Sequence, residues 1–275
     1  MPCTTLEPTP ATPSSCDLGG RGVLVTRPAA QARRLCDLIR AAGGRPIPFP
    51  TLEIAPVADP GPARDLLTQA WDLMVFVSRN AVELALELTG GAPGAGTWPD
   101  ARRLAAVGRA TGAALESAGR APDLVPTERF DSEALLALPD LAGLAGGRVL
   151  IVRGEGGRAL LGEVLSERGA EVHYAEVYRR VCPPGGPGDL IDRWPAEVHL
   201  LTATSDEILL NLHRILGPEG VALALGTPLA VLSERTAQTA RDLGYRRVRV
   251  ADRAEDGAIL ETLCALVSDG PEGVR

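Results

Sequence analysis

Short apolar runs that each end in a polar turn recur along the chain, as in GVLVTRP, LMVFVSRN, LAAVGRA and RVLIVR. After each comes a stretch with apolar residues three and four apart, such as ARRLCDLIRAAGG. The runs are continuously apolar rather than alternating, so they are expected as strands buried on both faces, the mark of a parallel sheet covered by helices. Glycines such as Gly43 and Gly169 close the helical stretches, where a left-handed residue is expected. Two segments break the alternation. RPIPFPTLEIAP (45–56) carries four prolines, and EVHYAEVYRRVCPPGGPG (171–188) ends in a Pro/Gly cluster. Proline density there suits edge strands or linkers, not central sheet positions.

The chain also resembles itself. RGVLVTRPAAQARRLCDLIRAAGG matches GRVLIVRGEGGRALLGEVLSERGA, pairing Arg27 with Arg153 and Gly43 with Gly169. WDLMVFVSRNAVELAL matches VHLLTATSDEILLNL, and RLAAVGRATGAALESAG matches PLAVLSERTAQTARDLG, which pairs Thr111 with Thr236. Three blocks at nearly one offset indicate a duplicated unit of about 125 residues, far longer than a solenoid repeat. The expected fold is α/β: two similar α/β/α domains with parallel sheets.

Composition narrows the function. In 275 residues the apolar share is 45% and the charged share 23%, enough for packed cores. Aromatics are only 3%, which argues against a base-stacking surface, and the net charge of −7 argues against a nucleic-acid backbone as partner. All 28 basic residues are Arg; without Lys there is no side-chain Schiff base and no Lys-dependent phosphate loop. Five scattered cysteines without a C-x-x-C pair are expected as free thiols in a reducing compartment. His173, His199 and His213 cluster with neither Cys nor carboxylates, so no metal site is expected. No run is expected to approach the roughly 18 apolar residues of a membrane helix. Residues 1–20, with four prolines and no apolar core, read as a disordered tail in a cytoplasmic protein; deleting 1–19 is expected to leave activity and stability unchanged.

In parallel α/β sheets, ligands bind beyond the carboxyl ends of the strands. The residues there are Thr26–Arg27, Ser78–Asn80, Gly108–Thr111 with Arg109, Arg153–Gly157 with Gly154, Arg158, Thr204–Ser205 and Ser233–Thr236. Each turn opens a helix, whose backbone N–H groups and dipole favour an anion; Ser, Thr and Asn there serve equally as N-caps. Arg27 and Arg153 stand at matching strand ends. Two such forks suit a polycarboxylate ligand. Gly154-x-Gly156-x-x-Ala159 matches a dinucleotide fingerprint loosely, but its duplicated partner, TRPAAQ, has no glycine. No nucleophile elbow, zinc-protease motif or Ser/His/Asp arrangement can be assembled. Tyr178 stands out as a phenol able to donate a proton to a leaving oxygen.

In its blocks VLVTRPAAQARRL, FPTLEIAP, FVSRNAVE, AAVGRATGAAL, RFDSEALLAL, VLIVRGEGGRALL, AEVYRRV and AVLSERTA, taken in this order from Val23 to Ala237, the chain resembles the uroporphyrinogen-III synthase family. The resemblance implies two domains joined by a two-stranded connection, with the active site in the inter-domain cleft. Domain 1 would be discontinuous (21–46 and 182–268), domain 2 would be 54–172, and 47–53 and 173–181 would be the connecting strands. It implies cyclisation of the linear tetrapyrrole hydroxymethylbilane with inversion of the terminal ring and loss of water, in haem biosynthesis, with no cofactor. Tyr178 matches the family's connecting-segment tyrosine, and Ser78 and Thr236 match polar positions facing the cleft. Arg27, Asn80, Arg109, Thr111, Arg153, Gly154, Arg158, Thr204, Ser205 and Ser233 complete the expected substrate contacts. The chain departs from the family at Ser233, where Gly is usual, and at Asp206. It is expected to act as a monomer on this small molecule, with no nucleic acid, membrane or metal. The alternatives are a non-catalytic two-domain protein binding a small anion, and a nicotinamide-dependent enzyme.

Overall fold

The computed structural model describes residues 16–90 and 99–269. In chain order the first stretch runs β1 (Gly22–Val25), α1 (Ala29–Ala41) and β2 (Arg45–Pro48). The middle carries β3 (Glu53–Pro56), α2 (Gly61–Leu67), β4 (Trp71–Phe76), α3 (Arg79–Leu88), β5 (Ala101–Ala106), α4 (Arg109–Ser117), α5 (Ser132–Leu136), β6 (Arg148–Gly154), α6 (Leu160–Glu167) and β7 (Glu171–Val181). The return adds α7 (Leu190–Glu197), β8 (Leu200–Ala203), α8 (Asp206–Gly226), β9 (Leu229–Val231), α9 (Glu234–Asp242), β10 (Val248–Val250) and α10 (Asp256–Ser268). These form two compact units, one of residues up to Glu53 with those from Cys182, the other Ile54–Val181.

In the first unit the five-stranded sheet has the order β10-β9-β8-β1-β2, parallel at each pairing. Its central strands are buried on both faces, as continuous apolar runs require. Val23 and Val25 pack with Leu35 and Ile39 of α1 and with Ile259 and Leu263 of α10. Leu24, Leu201 and Leu229 face the other way, onto Trp194 of α7, Leu212 of α8 and Ala237 of α9. The proline-bearing β2 lies at the sheet's edge, where a missing N–H costs no ladder bond.

The second unit's sheet has the order β3-β7-β6-β4-β5, with β4, β5, β6 and β7 parallel. Met74 and Phe76 pack onto α2, α3 and α4, while Leu73 and Val75 pack onto α5 and α6. Matched by the sequence offset, β7-β6-β4-β5 follows the order β2-β1-β8-β9. Gly43 and Gly169 close their helices at φ 71° and 86°, the left-handed region that a Cβ disfavours.

Several expectations need correction. The segment 173–181, expected as a connecting strand, is the greater part of β7, which pairs with β6 as far as Tyr178. Residues 47–52 likewise belong to the first unit: Phe49 N–H donates to Val25 O, and Leu52 is buried in its core. The expected tail, 1–20, overlaps the fold: residues 1–15 lie outside the described ones, but Leu18 is fully buried beside Ile39, and its N–H donates to Ala42 O at 2.8 Å. Cys16 and Cys264, 248 positions apart, are joined as a disulfide, where free thiols were expected; Cys36 and Cys182 are free. Only the folded chain brings the start of the first unit to its last helix. By length and composition α8 is apolar enough to cross a membrane, with mean hydropathy 1.2, although no such run was expected. It breaks at Gly217 (φ 65°), ahead of Pro218, into two helices each too short to span.

Removing residues 1–19 therefore takes Leu18 out of a packed core. Large-to-small changes at such sites cost about 2–5 kcal/mol. The truncated protein should unfold at clearly lower denaturant than the full chain; an unchanged midpoint would show that Leu18 contributes nothing.

Candidate active site

The polar turns at the carboxyl ends of β4, β5 and β6 assemble the most chemically capable group in the second unit. Ser78 caps α3: its backbone is extended (φ −159°, ψ 162°) and its Oγ accepts the Ala81 N–H at 3.1 Å. The same oxygen lies 3.1 Å from the hydroxyl of Tyr178, a residue only 6% exposed. Tyr178 reaches it from β7, opposite Gly154 at the end of β6. Asn80, half-buried, lies in the first turn of α3.

Gly108 caps α4 with extended backbone and no side chain. Arg109, exposed at the first helical position, holds its guanidinium 4.6 Å above the ring of the exposed Phe130. Neither α3 nor α4 has an acidic residue in its first turn, so the positive end of each dipole is not countered by an acid there. The first unit differs. Asp206 and Glu207 open α8, and Glu234 opens α9. Ser205 and Ser233 cap these helices by accepting the N–H of Ile208 and Thr236. Asp206 accepts the Thr236 hydroxyl at 2.7 Å and pairs with Arg235 at 3.0 Å, so a carboxylate of the chain already occupies this turn. Thr204, half-buried, precedes it.

The two matching arginines are both held by acids of their own units. Arg27 pairs with Asp256 at 2.5 Å, with the two side chains 10% and 16% exposed. Arg153 donates to Glu176 from Nη2 at 2.9 Å and from Nε at 3.2 Å, and stacks 3.9 Å over the Tyr174 ring. Its Nη1 donates to the carbonyls of Gly157 and Arg158, which wraps the 154–158 loop around its own arginine. A phosphate cradle would need that loop's amides converging on the space the guanidinium fills. The dinucleotide fingerprint thus has a structural explanation in this loop. Arg158 is the freer cation, 72% exposed with Glu133 at 3.9 Å.

Thr111 and Thr236 are buried, 4% and 1% exposed. Each stands at the third helical position, three residues past its cap, and turns inward there. Asp256 and Glu176 were missed as partners of the two arginines, since nothing local in the sequence marks an ion pair 229 residues apart. Away from this site, burial lowers the pKa of His213 and raises that of Tyr245, its hydrogen-bond partner at 3.0 Å. Among the described residues no three His, Cys, Asp or Glu side chains gather as a metal ion would require.

A family model described as uroporphyrinogen-III synthase HemD matches residues 33–261. The uroporphyrinogen-III synthase of Salmonella typhimurium is 37% identical over 249 residues, and that of Escherichia coli 36% over 246; each alignment covers 88% of this chain and 99% of the relative. Among solved structures, a mutant uroporphyrinogen III synthase from Thermus thermophilus shares the fold at TM-score 0.56 and 22% identity, over 91% of this chain and 99% of that one. The uroporphyrinogen-III synthetase of Helicobacter pylori does so at TM-score 0.58 and 15% identity, over 90% and 99%.

Proposed function

We infer the chemistry from one premise: the chain belongs to the uroporphyrinogen-III synthase family. Its activity is accordingly uroporphyrinogen-III synthesis, a step of tetrapyrrole and haem biosynthesis. We propose that it closes hydroxymethylbilane as a cofactor-independent hydro-lyase, with Tyr178 as the proton donor. The observation that carries this assignment is the Tyr178 hydroxyl held at 3.1 Å from Ser78 Oγ, at the strand ends where the helices α3 and α4 begin.

In the proposed sequence the phenol proton passes to the substrate's hydroxyl oxygen. The carbon–oxygen bond breaks with its electron pair on oxygen, and water leaves. The cation left on carbon is delocalised into the pyrrole nitrogen. The terminal ring attacks it through its substituted carbon to give a spiro intermediate, which fragments and recloses with that ring inverted. The proton released as the macrocycle regains its pyrroles returns to the phenolate. Closure without inversion gives the other isomer, so much of the task is holding one geometry. Arg109, Arg158 and the amides at the starts of α3 and α4 are the groups proposed to hold the substrate's carboxylates. The matching strand orders also support descent of both units from one duplicated ancestor.

Incubation of purified protein with fresh hydroxymethylbilane, followed by separation of the isomers, tests the reading. Isomer III is expected; isomer I alone, at the uncatalysed rate, would overturn it and favour a binding protein. Arg109→Ala should raise KM by roughly tenfold while kcat stays within about threefold, because an anchor shared by ground and transition states is lost. Steady-state kinetics would refute this role if KM did not move.

A further inference from the structure

A regular β7 would send Tyr178 to the wrong face of its sheet. Strand side chains alternate between faces. Val172 and Tyr174 pack on the α5–α6 side, and Glu176 lies with Arg153, which stacks on Tyr174. Ala175 and Val177 pack on the side of α2, α3 and α4. By alternation position 178 belongs with Tyr174 and Glu176. The pairing instead runs from Arg153 opposite Glu176 directly to Gly154 opposite Tyr178, so β7 spends one more residue than β6. Such a bulge re-aims the side chain that follows it. Val177 and Tyr178 accordingly both enter the α2–α4 core.

Two further features complete the placement. The Tyr178 ring lies against the backbone of Gly154, where a Cβ would come within 2.6 Å of ring Cζ, closer than real atoms approach. The hydroxyl on that Cζ meets Ser78 Oγ, itself fixed by the Ala81 N–H. We propose that the β7 bulge, Gly154 and Ser78 form a seat that aims the Tyr178 hydroxyl. Gly154 and Ser78 then act as positioning residues through Tyr178 and not as substrate contacts. This rests on the reading of Tyr178 as proton donor.

In the proposed seat Ser78 Oγ accepts from the Ala81 N–H and gives its single proton to the Tyr178 oxygen, which leaves the phenol proton for the substrate. As that proton departs, negative charge grows on the phenolic oxygen and the Ser78 hydrogen bond becomes charge-assisted, roughly twice as strong as a neutral one. Ser78 therefore favours the phenolate as it forms.

The test uses full-length Ser78→Ala, Ser78→Thr, Tyr178→Phe and the double variant Ser78→Ala/Tyr178→Phe, with hydroxymethylbilane as substrate. Ser78→Ala should lower kcat about tenfold with KM within about twofold, the pattern of a lost transition-state interaction. Ser78→Thr should restore most of the loss. In the Tyr178→Phe background Ser78→Ala should add nothing, since both act through one group. A loss that adds in full to that of Tyr178→Phe, or that falls on KM, would overturn the seat and make Ser78 a substrate contact. Normal kcat in Ser78→Ala beside an impaired Tyr178→Phe would also overturn it while leaving the proton donor in place. Normal kcat in Tyr178→Phe would instead remove the donor reading itself. Gly154→Ala should reproduce the kcat loss in whatever protein folds; a folded Gly154→Ala with normal kcat would exclude the glycine from the seat.

Discussion

Tyr178→Phe is expected to lower kcat by at least about tenfold and to leave the fold standing. General acid catalysis typically contributes about 10²–10⁴-fold, and water can replace part of it. The ring is retained, so the contacts of Tyr178 with the α2–α4 core persist. What is lost is one hydrogen bond, to Ser78 Oγ, worth about 1 kcal/mol of stability. Ser78 keeps its other partner, the Ala81 N–H, so the start of α3 should hold. Product identity separates two roles. A pure acid role predicts a slower reaction that still yields isomer III; a role in holding the substrate predicts leakage to isomer I. Turnover close to that of the unaltered protein would end the acid assignment and leave backbone amides and arginines as the catalytic apparatus.

The layered fold was legible because burial on both faces leaves a local trace. GVLV, LMVF and RVLIVRG stop where their strands stop, and three of the four prolines of 45–56 fall on two edge strands. The strand-end turns were legible for the same reason, since a polar residue after an apolar run marks where a sheet meets solvent. What was missed depends on register or on long-range pairing. The spacing of Val177 and Tyr178 carries no sign of a bulge, because only the partner strand defines one. Leu18 sits among prolines and polar residues, a single apolar side chain with no periodicity, yet it fills a place beside Ile39. Arg27 read as an open fork because Asp256 comes 229 positions later. Thr111 and Thr236 do stand in the strand-end turns, but a helix rotates about 100° per residue, and three residues past the cap the side chain faces inward.

Phe76→Ala should cause the largest loss of stability among single changes near this site. Phe76 is fully buried on β4, the strand between β6 and β5, with Val152 and Ala106 as its ladder partners. Its ring lies in the cluster that joins α2, α3 and α4 to the sheet. Truncating a buried Phe removes the transfer free energy of the ring and leaves a cavity, together costing about 3–5 kcal/mol. Domains are stable by about 5–15 kcal/mol, so the second unit would lose a large part of its margin. Denaturant unfolding should show the midpoint fall with its slope unchanged, the sign that stability and not the unfolded state has altered. Phe76→Leu, which keeps most of the apolar volume, should recover most of the loss. Function should follow stability here: Phe76 stands two residues before Ser78, and its carbonyl accepts the Val107 N–H at 3.1 Å, one residue before the Gly108 cap. The strand ends that carry both helix starts therefore rest on a ring with no chemical role. At temperatures where Phe76→Ala is still folded, it should keep KM and the preference for isomer III. A midpoint shift equivalent to less than about 1 kcal/mol would mean that the core closes over the missing ring, contrary to the close packing that such interiors show.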